Sequence, residues 1–337
     1  MNGQSLRYTQ FALVREMLET PGIIRQFNFS QANALSASIK HTGRLFMTGE
    51  GSSRLFPSGH FIAQLLRRDA AIIACAEGAR QAGEYDLSRF TVLGASNSGR
   101  TREVVELFQR LAAADHAHLF SLSAAVGSPL GDLAREAYVL GCGAEDAVAA
   151  TKSVVEQALF LDMLLNRLMG MDHWSARALL LADVAQSVLE LPVAAEIART
   201  LARANVLHWA GRHDGVAAEL ALKTNEITRK RSAYLEGTYA VHGIEEVMST
   251  DDAVIIVDPF EAEEEKFDQV LRQGVGCTVV AIAARPTRFP TICIPSLAGY
   301  DAYLQLMTGW NLLVEIALLL GINMDRPVRA RKIGNAV

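Results

Sequence analysis

The chain has 337 residues, which is room for two domains of ordinary size or one large one. Half of its residues are hydrophobic and 20% are charged, so it can bury a sizeable core without disulfide or metal staples. A formal net charge of −5 argues against nucleic acid as the main partner, which calls for clustered Lys and Arg, yet leaves room for a small anion at a local positive site.

Residues 1–18 hold no uninterrupted apolar core and no small-residue cleavage signal, so no secretory signal peptide is expected. Short apolar runs then alternate with helical patterns. Strands are predicted at 44–48, 71–74, 90–94, 118–122 and 137–140, and a helix from Thr101 through Phe108. A long helical region follows at 148–189, weakly broken at Gly170 and Pro192. A second set of strands is predicted at 206–210, 232–235, 253–257, 277–282 and 291–294. Nearly continuous apolar strands separated by helices imply parallel sheets covered on both faces. The expected architecture is therefore α/β and duplicated, divided at 1–170 and 171–337.

Three further segments carry expectations. The acidic run Glu261-Ala262-Glu263-Glu264-Glu265 reads as the solvated start of a helix. The apolar stretch 310–322 contains Glu315 and is too short to span a bilayer, so no membrane partner is expected. The four cysteines, Cys75, Cys142, Cys277 and Cys293, form no CxxC pair and read as buried free thiols in a reducing, cytoplasmic setting. His116 and His118 lie two apart with no third ligand in view, so neither a metal nor a cofactor is expected.

The chemistry-bearing motif lies between the third strand and its helix. Ser96-Asn97-Ser98-Gly99-Arg100-Thr101 is a turn from strand to helix, where unpaired backbone N–H groups and the helix dipole favour an anion. Small hydroxyl side chains add donors, and Gly99 permits the backbone geometry. The plain alternative is a serine-rich helix cap. Ser52 and Ser53, after the first strand, offer a second wall if the two strands are neighbours. Ligands in such sheets bind beyond the carboxyl ends of the strands.

These residues resemble the sugar isomerase (SIS) domain family. The loop looks like its Ser-x-Ser-Gly-x-Thr signature, and the similarity spans almost the whole chain, as in the isomerase part of glucosamine-6-phosphate synthases. Gly51-Ser52-Ser53 is similar to the family's Gly-Thr-Ser loop. Glu145-Asp146-Ala147-Val148-Ala149-Ala150-Thr151-Lys152 is similar to its Glu-x-x-Val-Ala-Ser-Thr-Lys segment. Residues 219–227 resemble Glu-Gly-Ala-Leu-Lys-x-Lys-Glu-Ile, His242-Gly243 resembles its His-Gly, and the tail from Asp325 to Lys332 its Asp-x-Pro-x-x-x-x-Lys. The resemblance implies two tandem SIS domains, each a five-stranded parallel sheet between helices in a flavodoxin-like sandwich. It implies phosphate ligands at Ser52, Ser53, Ser96, Asn97, Ser98 and Thr101, and a sugar-lining backbone at Val148, Ala149 and Ala150. It also implies a homodimer whose active sites are shared. Departures occur beside the expected sugar site, where Thr238-Tyr239-Ala240-Val241 replaces Gly-Glu-Leu-Lys and Ile244-Glu245-Glu246 follows Gly243. The family's glutaminase part has no counterpart in this sequence, so glutamine-fed amination is not expected.

Aldose–ketose interconversion requires ring opening and then a proton transfer between C1 and C2. A carboxylate suits the transfer, and Glu226, one helical turn after Lys223, is the candidate. A histidine suits ring opening, and His242 is the candidate. Lys332 can form a Schiff base or place a cation beside an enolate, while Lys223 neutralises charge or orients Glu226. The expected function is a phosphosugar isomerase or deaminase. A deglycase of 6-phosphorylated fructose–amine adducts and a non-catalytic sugar-phosphate binder are the alternatives.

Overall fold

The computed structural model describes residues 1–171 and 174–329. Among the described residues, ten strands form two five-stranded parallel sheets. The first holds β1 (Arg44–Thr48), β2 (Ile73–Glu77), β3 (Thr91–Ala95), β4 (Leu119–Ser123) and β5 (Glu136–Val139), in the order β2-β1-β3-β4-β5. The second holds β6 (Val206–Gly211), β7 (Arg231–Glu236), β8 (Ala253–Val257), β9 (Thr278–Ala283) and β10 (Thr291–Cys293), in the order β10-β9-β8-β6-β7. Numbered within its own sheet, each runs 2-1-3-4-5. The expected duplication is thus present in topology. The reason is visible in burial: every residue of β3, β4 and β8 is buried, as strands covered on both faces require, while the edge strands β2 and β5 are only partly buried.

Predicted and observed strands agree closely. The main shift is β2, which begins at Ile73 because Ile72 N–H turns back to the Ala70 carbonyl (2.8 Å) and pairing with β1 starts at Arg44 opposite Ile73. The helical region of 148–189 is two helices, Lys152–Leu168 and Trp174–Glu190, and Gly170 after the first has φ +68°.

The chain forms two compact units. Gly22–Asp146 and Ala150–Leu180 belong with the first sheet; Met1–Pro21, Ala147–Ala149 and Leu181–Val328 belong with the second. The leading segment therefore departs from the expected 1–170 division. The cause is a set of local polar anchors. Asp325 accepts the Ala12 and Leu13 N–H groups (2.7 and 3.0 Å) at the start of helix Ala12–Gln26, and Glu315 accepts Tyr8 OH at 2.5 Å. Burial, then the bond to Glu315, pushes the Tyr8 phenol up to about 12.

Helix Asp301–Leu319 is longer than the apolar stretch suggested, and by length and composition alone it could cross a membrane. Instead 83% of its apolar window is buried inside the protein. It packs closely on helix Val216–Lys223, where a Cβ at Gly309 would collide with Leu220. Two expectations are corrected. Glu264 is not solvated: it is buried, pairs with Arg285 (2.6 Å) and accepts the Arg288 N–H (2.9 Å). Cys293 is not buried but exposed, since β10 is an edge strand.

Candidate functional site

β1 and β3 are parallel neighbours with Thr48 opposite Gly94, so the turns that follow them leave at the same sheet edge. This is the point where the chain departs from β1 to one side and β3 to the other. A Cβ at Gly49 would lie 2.9 Å from the Ala95 carbonyl oxygen, so glycine lets the two turn backbones approach. Residues Gly51–Ser53 form a 3-10 turn with Ser52 buried and Ser53 partly buried. The Glu50 carboxylate points away to structure: it accepts the Ala79 N–H at 2.9 Å.

The serine loop is not a simple helix cap. Thr101 precedes helix Arg102–Ala113 but makes no side-chain cap bond. Its hydroxyl pairs instead with the buried Ser96 hydroxyl at 2.8 Å. Gly99 has φ +63°, its N–H bonds the Ser96 carbonyl, and the Arg100 N–H bonds Ser98 Oγ (3.2 Å). The N–H groups of Asn97 and Ser98 find no acceptor among the described residues. An uncapped helix start, two unpaired backbone donors and the exposed Ser98 make a cradle suited to an anion. Arg100, which the motif leaves unspecified, is exposed on the same loop and makes no ion pair among the described residues.

Behind the loop lies a buried polar layer. Glu145 accepts the Thr151 N–H (2.7 Å), Thr151 Oγ1 (3.2 Å), Ser153 Oγ and Asn97 Nδ2 (3.5 Å). Glu156 accepts the Gly141 and Cys142 N–H groups at 2.8 and 2.6 Å. Burial and these two carboxylates push the Cys142 thiol far up, which leaves it protonated and inert. Of the expected sugar-lining residues, Ala149 is buried and Val148 and Ala150 are partly exposed.

In the unit of the second sheet, helix Val216–Lys223 runs into a π-helical turn, Thr224–Thr228. Such turns are uncommon and frequent at functional sites. Threonines support it: Trp209 Nε1–H donates to Thr224 Oγ1 (2.7 Å), and Thr228 Oγ1 donates to the Thr224 carbonyl (2.7 Å). Lys223 is fully buried, with Nζ 2.7 Å from Glu226 and 3.3 Å from the fully buried Glu219. The Glu226 side chain is 27% exposed, so one carboxylate of the three-residue cluster reaches solvent. Burial lowers the guanidinium of Arg229, at φ +60° after the turn, and the charge of Glu226 opposes that shift.

His242 follows the short 3-10 turn Tyr239–Val241 beyond β7 and is exposed; its Nε2 lies 3.4 Å from Lys266 Nζ. No hydrogen bond joins it to Glu226 or Lys223 among the described residues. Lys332 lies outside the described residues. His116 and His118 are structural: His116 bridges the Leu87 carbonyl (2.9 Å) and the His118 N–H (3.2 Å). Among the described residues no group of three His, Cys, Asp or Glu could hold a metal ion.

No protein-family model and no curated protein sequence matches the chain. Solved structures do match in fold. The C-terminal domain of glucosamine-fructose-6-phosphate aminotransferase from Francisella tularensis aligns over 96% of this chain and 100% of its own, with a TM-score of 0.81 and 16% identity. Tagatose-6-phosphate ketose/aldose isomerase from Escherichia coli aligns over 97% and 99%, with a TM-score of 0.76 and 17% identity. Glucosamine-6-phosphate deaminase from Thermotoga maritima aligns over 95% and 98%, with a TM-score of 0.73 and 18% identity. At these identities the likeness is one of fold, and the chain shares with these sugar-phosphate enzymes an architecture of two parallel five-stranded sheets.

Proposed function

We propose that the protein is a phosphosugar isomerase or deaminase that moves a proton between C1 and C2 of a hexose 6-phosphate or an amino-sugar 6-phosphate. The observation that carries this reading is the Glu226 carboxylate, partly open to solvent and held at 2.7 Å by a fully buried lysine. A carboxylate so fixed is suited to take a proton from one carbon and return it to the next. Ser52, Ser53, Ser96, Asn97, Ser98 and Thr101 hold the phosphate, chiefly through backbone N–H groups and hydroxyls. Val148, Ala149 and Ala150 line the sugar. His242 opens the ring, and Lys332 supplies a cation or a Schiff base. The strand order 2-1-3-4-5 in each sheet supports the flavodoxin-like description. The same reading takes the chain as two tandem SIS domains in a cytoplasmic homodimer with shared sites.

One observation favours a second reading, a fructosamine-6-phosphate deglycase. Lys266 Nζ lies 3.4 Å from Nε2 of the exposed His242, and a cation beside the residue read as the ring opener is the kind of partner that an adduct's carboxylate calls for. A panel of hexose phosphates, amino-sugar phosphates and fructosamine 6-phosphates, followed by ammonia release and product mass, tests both. Isomerised sugar or released ammonia supports the first reading, and release of a free amine from the adduct the second. Melting-temperature shifts without any product support a non-catalytic binder and defeat both enzymatic readings.

A further inference from the structure

Glu145 is 3% exposed, and a buried carboxylate is tolerated only when its oxygens are satisfied. All four of its hydrogen-bond partners are donors, and they divide by oxygen. Oε1 takes both the backbone N–H and the hydroxyl of Thr151, at the start of helix Lys152–Leu168. Thr151 makes no side-chain cap bond to that helix, so the carboxylate meets the positive end of the helix dipole instead. Oε2 takes Ser153 Oγ and Asn97 Nδ2. Asn97 belongs to the serine loop on the far side of the carboxylate. Its other amide atom, Oδ1, accepts from Cys142 Sγ at 3.9 Å, and the Cys142 backbone is itself fixed by Glu156. The Asn97 amide thus turns its oxygen to the thiol, at 3.9 Å, and its nitrogen to the carboxylate, at 3.5 Å, the sense that matches acceptor with donor on both sides.

We propose that Glu145 is a positioning residue for the phosphate loop. Through Asn97 it aims the unpaired N–H groups of Asn97 and Ser98, and it locks that loop to the start of helix Lys152–Leu168. The inference rests on the reading of the serine loop as a phosphate site. It differs from that reading in assigning the Asn97 side chain to orientation within the protein, leaving the backbone to meet the anion.

The test is a binding cycle with fructose 6-phosphate and inorganic phosphate, on wild type, Glu145→Gln, Asn97→Ala and the double variant, with melting temperatures recorded alongside. Each single variant is expected to weaken fructose 6-phosphate about tenfold, the scale of one hydrogen bond to a charged group. The double variant is expected to lose no more than either single, because both remove one linkage. Glu145→Asp covers the case in which Glu145→Gln does not fold. The shorter acid keeps the buried charge at the helix start while drawing Oε2 away from Asn97, its longest contact at 3.5 Å, so it should stay folded while binding as weakly as Asn97→Ala. Losses that multiply in the double variant overturn the proposal, as does wild-type affinity in Glu145→Asp. A wild-type protein that binds neither probe removes the phosphate loop itself, and the proposal with it.

Discussion

Lys223 Nζ lies 2.7 Å from the Glu226 carboxylate, with the lysine fully buried and the glutamate partly open to solvent. The lysine has a second carboxylate, Glu219, at 3.3 Å. Removing the charge of Glu226 therefore leaves Lys223 still paired. Glu226→Gln should fold normally and bind hexose 6-phosphates as wild type does, while turnover falls by about 10²- to 10⁴-fold, the usual contribution of a general base. Steady-state kinetics with parallel calorimetric binding would check this. Undiminished turnover would falsify the catalytic assignment.

Lys223 behaves differently under substitution. Lys223→Met removes the ammonium that lies 3.3 Å from the fully buried Glu219 carboxylate. The expected cost is about 3–5 kcal/mol of folding stability, read from denaturant midpoints. Adding Glu219→Gln should restore most of that loss, because a buried pair replaced together is close to neutral. Failure of the second change to rescue the first would mean that Glu219 is not the group left exposed to the penalty.

Much of this arrangement is legible in the residues. The sheets are, because central strands buried on both faces need unbroken apolar runs such as Ala253–Val257, which mark the strand positions directly along the chain. The i, i+3 spacing of Lys223 and Glu226 is likewise a local signal. The π-helical turn that carries Glu226 is not. It depends on Trp209, fifteen residues earlier, donating to Thr224. Glu145 and Glu156 carry no periodic signal either, since their roles come from backbone donors in a folded-back loop. The burial of Glu264 depends on Arg285, on a different element, which no window along the chain connects to it.

The serine loop makes a separable prediction. Gly99 sits at φ +63°, and a Cβ there would run into the Ser128 side chain. Gly99→Ala must therefore move the turn that presents the Asn97 and Ser98 donors. Ser98→Ala removes an exposed hydroxyl without touching the core. Both variants should weaken phosphate esters more than the corresponding free sugars, Gly99→Ala by the larger factor. Competition assays with paired phosphorylated and free hexoses measure the difference; equal losses for both would remove the loop from phosphate binding.

Acid sensitivity follows from two histidines. Burial lowers His118, with the charges of His116, His41 and Arg135 acting in the same direction. Burial also lowers His208, against an opposing pull from Asp252. A histidine whose folded value lies below its ordinary 6.5 takes up a proton in the unfolded chain first. The unfolded state then binds more protons, so stability rises with pH across that interval. The contribution is complete above about pH 6.5 and is lost as pH falls toward each folded value. The hydrogen bonds around His118 agree with a neutral ring. Thr42 Oγ1 can donate to the Arg44 carbonyl, so Thr91 donates to Thr42 and Ser38 to Thr91, which leaves Ser38 to accept from His118 Nδ1–H. Nε2 is then the atom that a proton would enter. The melting temperature should fall between pH 7.5 and pH 5.5, by less in His118→Asn and by less again when His208→Asn is added. A wild type that gains stability over the same acidification, or variants that keep its full slope, would contradict the assignment of those protons to His118 and His208.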